Sequence, residues 1–515
     1  MKRRTGLRAV LGIAVCVVGF VLARATPYRE TTVIVRVAGC ALVTDVIDRG
    51  DDDVRGYVVL LHGLSANKKI MAYLARGFAS QDLRVFVPDL PGHGRSPGPF
   101  SFERAETCAE ALVRELSRRG AIDPQRTMLA GHSMGGAIAI RIAARVGVAG
   151  VIAISPAPMR AAHGVAPDML PYTNPRPVPA HTLAISAAFE PLGIREITRD
   201  LITEGGGATS KYLFVPHATH VSVLYDPRVV HASQEWSAET LKFPVEFNAP
   251  SAAPLFGGLA GLAGILLLAG PFVRETLGMP NEGSRSANEA AAPDTHELRS
   301  DLPATPVLWV LLEVTAVFFV TVVLLRFWNP LSFVRLYNGS YFASFLLIAG
   351  LAILLIHRKA VRACWPAEIK AVLFAAFAAL ALHLLVTAWI DATLAEAWLS
   401  WARWARFPVL LVAAFAYLLA EELLLGPVAA RGTGSRIWLA LAARAIAFIA
   451  LIFGIFVLHS GAILIILLAL YFALFFLFQR LGMDIVRQQT GSAIAAAVFG
   501  AILLAGFCLV IFPVT

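Results

Sequence analysis

Charge is scarce in this sequence. Only 15% of its 515 residues are Asp, Glu, Lys or Arg, 57% are apolar, and the mean hydropathy is +0.68. That balance excludes a soluble protein of ordinary composition, so much of the chain must sit in lipid. Cysteine is scarcer still. Cys16, Cys40, Cys108, Cys364 and Cys508 are all there is, and no two have metal-ligand spacing, so no metal and no other cofactor is expected. Only Cys40 and Cys108 share one globular stretch. A disulfide between them is not expected, because Cys40 reads as a strand residue and Cys108 as a helix residue, and both are taken as buried free thiols. The net charge of +9 comes without a concentrated basic patch, so nucleic acid is not an expected partner.

The apolar residues are unevenly spread. Residues 1–26 place Lys2, Arg3, Arg4 and Arg8 ahead of an apolar run, which reads as an uncleaved transmembrane anchor, with a cleavable signal peptide as the alternative. Residues 27–250 are of mixed, globular composition. From 251 to 515 the chain is polytopic, with eight expected spans at about 255–273, 305–325, 341–357, 369–390, 407–425, 437–458, 461–478 and 492–512. Between the first two lies a polar stretch, 274–303, expected to be a cytoplasmic linker. With the N-terminus inside, the cytoplasmic loops carry His357, Arg358, Lys359 and Arg362, then Arg431 with Arg436, then Arg480 with Arg487. Arg326, Arg335, Arg403 and Arg406 are the exceptions, placed outside. This orientation sends residues 27–250 to the extracytoplasmic side of a cell membrane.

Within that globular stretch, "AGHSMGGA" at 130–137 holds a G-x-S-x-G pattern at Gly131, Ser133 and Gly135. Such spacing turns a strand sharply into a helix and lifts the serine hydroxyl clear of the sheet. The surroundings suit it. "TTVIVRV", "ALVTDVI", "YVVLLHG", "RVFVPDL", "RTMLAGH", "VAGVIAIS", "HTLAIS" and "KYLFVP" read as strands. "KKIMAYLARGFASQ", "FERAETCAEALVRELSRR" and "MGGAIAIRIAARVG" read as helices alternating with the later strands. That alternation predicts an α/β doubly wound, mainly parallel sheet with ligands at the strands' carboxyl ends, next to an all-α membrane domain.

Residues 30–240 resemble an α/β-hydrolase of the serine type. The resemblance rests on "HGLSANK" at 62–68, "PDLPGHGRS" at 88–96, "GHSMGG" at 131–136 and "ATHVSVLYDP" at 218–227, in the family's order. It implies that Ser133 is the nucleophile and His220 its base, ahead of the nearby His217. It implies backbone N–H groups of Leu64 and Met134 as the oxyanion hole. The acid is expected after "HTLAIS", where Glu190 is the first carboxylate. Asp168 and Asp200 are the alternatives, and Asp89 reads as a structural residue at a strand end. His62, His93 and His132 are expected to bond loop backbone. Between 156 and 180 there is too little chain for the helical cap of many relatives, which leaves an open site beside a bilayer. The implied function is a membrane-tethered serine ester hydrolase acting on acyl or lipid esters. An acyltransferase or peptidase using the same triad, or a transporter or scaffold with a non-catalytic domain, are the alternatives; protein partners are unknown.

The membrane part has its own polar residues in or beside apolar spans: Glu313, His383, Glu421, Glu422 and Arg444. "YLLAEELLLGPVAAR" resembles the E-E-x-x-x-R motif of the prenyl-protein endopeptidase family. It departs from that motif in having Gly426 at the arginine position, and "FVLH" at 456–459 only approximates F-x-x-x-H. Pairing among helices is the expectation for these groups.

Overall fold

The computed structural model describes residues 2–37, 39–50, 53–157, 178–191, 193–276, 307–364, 368–425 and 433–515. They form two compact units. One comprises Val17–Gly261, Ala388–Ser400 and Ile511–Thr515; the other comprises Met1–Cys16, Leu262–Thr387 and Trp401–Val510. Asp168, the stretch 158–177, Gly426, Arg431 and all but the first residues of the expected linker lie outside the described residues.

The first unit is built on one eight-stranded sheet. In chain order its strands are β1 (Arg29–Val37), β2 (Cys40–Asp48), β3 (Gly56–Leu61), β4 (Leu83–Pro88), β5 (Thr127–His132), β6 (Gly150–Ile154), β7 (Thr182–Phe189) and β8 (Lys211–Thr219). Their spatial order is β1-β2-β4-β3-β5-β6-β7-β8; β2 runs antiparallel to both neighbours and the rest are parallel. This bears out the α/β-hydrolase sheet expected from the sequence. Strands β5 and β6 are buried along their whole length, which is why they read as continuous runs of apolar and small residues. Helix α1 (Lys2–Ala23) is divided between the two units, and the helices of the sheet unit are α2 (Ala72–Ala79), α3 (Phe102–Arg118), α4 (Met134–Val146), α5 (Ile194–Gly205) and α6 (Pro227–Leu241). Helix α5 was not foreseen. Its buried face is Ile194, Thr198 and Leu201, at helical spacing on a segment that also carries Arg195, Glu196, Arg199, Asp200 and Glu204.

Cys40 and Cys108 are joined in a disulfide, with Cα atoms 5.9 Å apart, contrary to the expectation of free thiols. Strand and helix origin does not bear on pairing; what matters is separation, and α3 lies against β1 and β2.

Eight helices among the described residues are long and apolar enough to cross a membrane. They are α7 (Ala253–Thr276), α8 (Val307–Leu325), α9 (Gly339–Ile356), α10 (Ile369–Thr393), α11 (Phe407–Leu425), α12 (Thr433–Phe456), α13 (Ala469–Thr490) and α14 (Ala493–Ile511). Seven fall where hydropathy places them. The seventh in order, α13, is displaced toward the C-terminus of the expected 461–478, because Gly461 takes a positive φ and a separate turn occupies Leu464–Leu467. Helix α13 then runs on through "QRLGMDIVRQQT", which hydropathy reads as a loop. Those polar groups are neutralised internally. Arg480 Nη1 lies 2.8 Å from Glu421 Oε1, and its Nη2 lies 2.5 Å from Glu422 Oε1 and 2.7 Å from Asp484 Oδ1. Arg444 Nε reaches Glu421 Oε2 at 2.8 Å, and Arg436 pairs with Glu422. Paired, hydrogen-bonded charges are the form in which ionisable groups persist among apolar helices, as expected for Glu421, Glu422 and Arg444. Glu313 likewise meets His357 at 2.7 Å, whereas the buried His383 ring packs on Gly506 and beside Trp404.

The pairing also changes the reading of loop charge. Arg436 and Arg480 are buried partners of acids rather than free loop cations. Two of the exceptions have structural employment as well: Arg403 donates to the Leu509 carbonyl near the end of α14, and Arg406 Nε to the Val334 carbonyl at 2.6 Å.

Candidate active site

The site starts from the turn between β5 and α4. Ser133 has φ 51° and ψ −118°, a conformation disfavoured for any residue with a side chain. It persists because the two flanking glycines let chains approach where no Cβ fits. On Gly131 a Cβ would lie 2.3 Å from the Gly135 carbonyl carbon, and on Gly135 one would lie 2.2 Å from the Leu61 oxygen. Gly135→Ala is therefore expected to force β3 and α4 apart, lowering the thermal unfolding temperature and erasing any Ser133 reactivity, both measurable on the purified full chain.

His220 follows β8, and its ring stands between the other two groups. Its Nε2 lies 3.0 Å from Ser133 Oγ and its Nδ1 2.6 Å from Glu190 Oε2. Glu190 sits just past β7, after a register irregularity between Ala187 and Phe189. Its other oxygen, Oε1, accepts from the Ala187 N–H at 2.9 Å and from the Ser155 hydroxyl. Burial works to raise the Glu190 carboxyl, but its bonds to His220, Ser155 and Ala187 outweigh burial and hold it below the ordinary carboxylate range. The carboxylate is thus ionised at neutral pH and oriented by two donors before it meets the imidazole.

Each remaining candidate has a place. His217 is an exposed residue within β8, and Asp200 lies on α5 with Arg199 3.0 Å away; neither joins Ser133 and His220. Asp89 accepts from the amides of Lys68 and Arg95, both at 2.9 Å. His62 accepts from the Leu90 N–H at 2.9 Å, and His93 from the Ser65 N–H at 3.1 Å. His132 Nε2 meets the His220 carbonyl at 2.7 Å. Burial and the adjacent His220 push the His132 imidazole down to about 3, so it stays neutral as a donor that pins the His220 backbone.

Leu64 and Met134 are brought to the same spot. Met134 opens α4 directly after Ser133, and the loop bearing Leu64 presses on the nucleophile: a Cβ on Gly63 would lie 3.1 Å from Ser133 Cβ. Among the described residues, neither the Leu64 nor the Met134 N–H has a backbone acceptor. Two amides at this location suit a developing negative oxygen. Sequence reasoning missed Ser155. Its signal was modest, a serine closing the strand beside the nucleophile's own, and it takes a positive φ of 48° there.

A parallel sheet with a strained serine at a strand–helix turn, facing an imidazole backed by a carboxylate, defines an α/β hydrolase. Residues 58–235 belong to the alpha/beta hydrolase family. The chain is similar to a monoacylglycerol lipase of Mycolicibacterium smegmatis, 34% identical over 137 residues, which cover 26% of this chain and 49% of that one. It is also similar to a pimeloyl-[acyl-carrier protein] methyl ester esterase of Nitrosospira multiformis, 33% identical over 90 residues, which cover 17% and 33%. The matched stretches span 31% to 49% of such curated relatives. Among solved structures, a monoacylglycerol lipase of Paleococcus ferrophilus aligns with 39% of this chain and 99% of its own, at 21% identity and a TM-score of 0.33.

Proposed function

We propose that this protein is a membrane-tethered serine hydrolase that cleaves carboxylic esters, including lipid esters presented at a bilayer surface. The observation that carries the reading is the continuous line of hydrogen bonds from Glu190 through His220 to Ser133 Oγ. In this mechanism His220 Nε2 takes the Ser133 proton as Oγ bonds to the ester carbonyl carbon, and the carbonyl oxygen becomes an oxyanion facing the Leu64 and Met134 amides. Collapse breaks the carbon–alkoxy bond, and the imidazolium returns its proton to the leaving alcohol. Water then repeats the sequence on the acyl-serine, releasing the acid and free Ser133. Glu190 holds the Nδ1–H tautomer and stabilises the imidazolium. The names of the lipase and esterase relatives support ester chemistry.

The proposed organisation is an anchor at 1–26, a hydrolase domain at 27–250 and a polytopic domain at 251–515 with its linker at 274–303. An uncleaved anchor is supported by packing: a Cβ on Gly19 would lie 2.6 Å from the Gly261 amide, so α1 and α7 approach backbone to backbone. The extracytoplasmic side for the hydrolase domain is supported by the Cys40–Cys108 bond, since such bonds persist in oxidising compartments.

A fluorophosphonate probe, which phosphonylates only an activated serine, tests the function. Labelling of the wild-type protein is expected, and none at all would leave a non-catalytic binding domain. Topology has its own test: protease added to intact spheroplasts should cut within 27–250 and spare 274–303, and cleavage of the linker from outside would reverse the orientation.

A further inference from the structure

The compact unit that contains the sheet also contains two short stretches from far along the chain, Ala388–Ser400 and Ile511–Thr515. We infer that Glu396, on the first of these, is a positioning residue for the hydrolytic reaction, holding the 63–69 loop so that the Leu64 amide faces the reacting carbonyl. The inference rests on reading Ser133 and the Leu64 amide as parts of the proposed hydrolase.

The loop needs holding. Ser65 has φ 63°, the left-handed region that a non-glycine residue keeps only when its surroundings over-determine it. Its N–H donates to His93 Nε2 at 3.1 Å and its hydroxyl to the Ile511 carbonyl, so one anchor comes from the C-terminal stretch. That stretch is itself paired to the neighbouring loop, with the Phe100 N–H donating to the Val514 carbonyl at 2.6 Å and the Val514 N–H to the Gly92 carbonyl at 3.3 Å.

The other anchor is Glu396. Its backbone N–H donates to Asn67 Oδ1 at 3.1 Å, and its carbonyl accepts from Asn67 Nδ2 at 3.4 Å. Its carboxylate pairs with Lys68 Nζ through one oxygen and lies 2.6 Å from Arg95 Nε through the other; Lys69 Nζ is 3.6 Å away. The centre of the cluster is sealed from water. The side chains of Lys68, Asp89 and Glu396 are 1%, 0% and 2% exposed. Burial works against a charged Lys68, and Asp89, Asp45 and Glu396 together outweigh it and hold the ammonium above its ordinary value. Asp89 already accepts from the Lys68 amide, the Arg95 amide and Lys68 Nζ, so it has little capacity left to replace Glu396. Asp391 adds a second clasp, 2.8 Å from Arg95 Nη2. A buried ammonium that loses one of its carboxylates shifts toward what remains, and the short run from Lys68 back to Leu64 transmits that shift to the oxyanion donor.

The test is run on the full chain in membranes, measuring kcat and KM for a small chromogenic ester together with the rate of fluorophosphonate labelling. Glu396→Gln is expected to lower kcat and labelling by about tenfold to hundredfold, less than loss of an oxyanion donor outright, with KM within about twofold. Glu396→Asp, which keeps the charge, should recover part of the loss. Ser65→Ala, which removes the contact to Ile511 and no buried charge, should lower kcat severalfold and serves if Glu396→Gln does not accumulate. Wild-type kcat in the folded Glu396 and Ser65 variants would overturn the inference while leaving the hydrolase intact. A rise in KM at constant kcat would overturn it too, since that marks substrate binding instead. Wild-type protein without Ser133-dependent turnover would instead overturn the hydrolase reading on which this one stands.

Discussion

Ser133→Ala is expected to abolish fluorophosphonate labelling and to lower hydrolysis of a small ester by about a thousandfold or more, with the protein still folded in membranes. The fold should survive because what strains the turn is the backbone. Ser133 keeps its place through its N–H to the Ile154 carbonyl, 2.8 Å, and its carbonyl to the Ala137 and Ala157 amides, 3.0 and 3.1 Å, none of which involves the hydroxyl. Alanine retains all three bonds and removes only the atom 3.0 Å from His220 Nε2. Full labelling of the variant would show that another nucleophile reacts, and the proposed mechanism would fall.

Glu190→Gln is expected to cost hydrolysis about 10⁴-fold, the scale on which a triad acid acts when its replacement leaves the imidazole in the wrong tautomer. The structure dictates which way the new amide turns. Two donors, the Ala187 N–H and the Ser155 hydroxyl, point at the Oε1 position, so the amide oxygen must sit there. The amide nitrogen then faces His220 Nδ1, which is forced to accept, and the ring proton moves to Nε2. An Nε2–H cannot take a proton from Ser133. Ser155→Ala combined with Glu190→Gln should not recover the loss, because the Ala187 N–H still demands the amide oxygen at that position, while Glu190→Asp keeps the charge at shorter reach and should be intermediate. Asp200→Asn should leave the rate near wild type, because Asp200 pairs with Arg199 on α5. The comparison is made on the plateau of the wild-type pH–rate profile, so that protonation of the base does not confuse the reading. A crippled Asp200→Asn beside a near-normal Glu190→Gln would move the acid elsewhere and leave Ser133 and His220 standing.

The sequence by itself determined most of what is written in short-range pattern, with α5 the exception. All eight strands were legible: buried parallel strands leave apolar runs bounded by turn residues, and the exposed, antiparallel-paired β1 shows in its β-branched residues. The turn at Gly131, Ser133 and Gly135 was legible because little else is tolerated at those spacings, whereas His220 and Glu190 were named through the resemblance, whose order places acid and base after the last two strands. Seven of the spans could be read from length and hydropathy alone.

Only the tertiary structure decided what depends on partners distant in the chain. Cys40 and Cys108 meet because α3 packs on the antiparallel edge of the sheet, which the local sequence of neither residue records. Helix α13 carries Gln479, Arg480 and Asp484 inside an apolar unit because Glu421, Glu422 and Arg436 arrive from two other helices to pair with the ions among them. Hydropathy scores each residue as though it were alone with the solvent, so it ended that span too early. Glu396 carries no motif that the sequence analysis could single out, yet it is buried against Lys68 more than three hundred positions upstream. Pairing energy depends on distance in space, and a composition-based reading has no term for it.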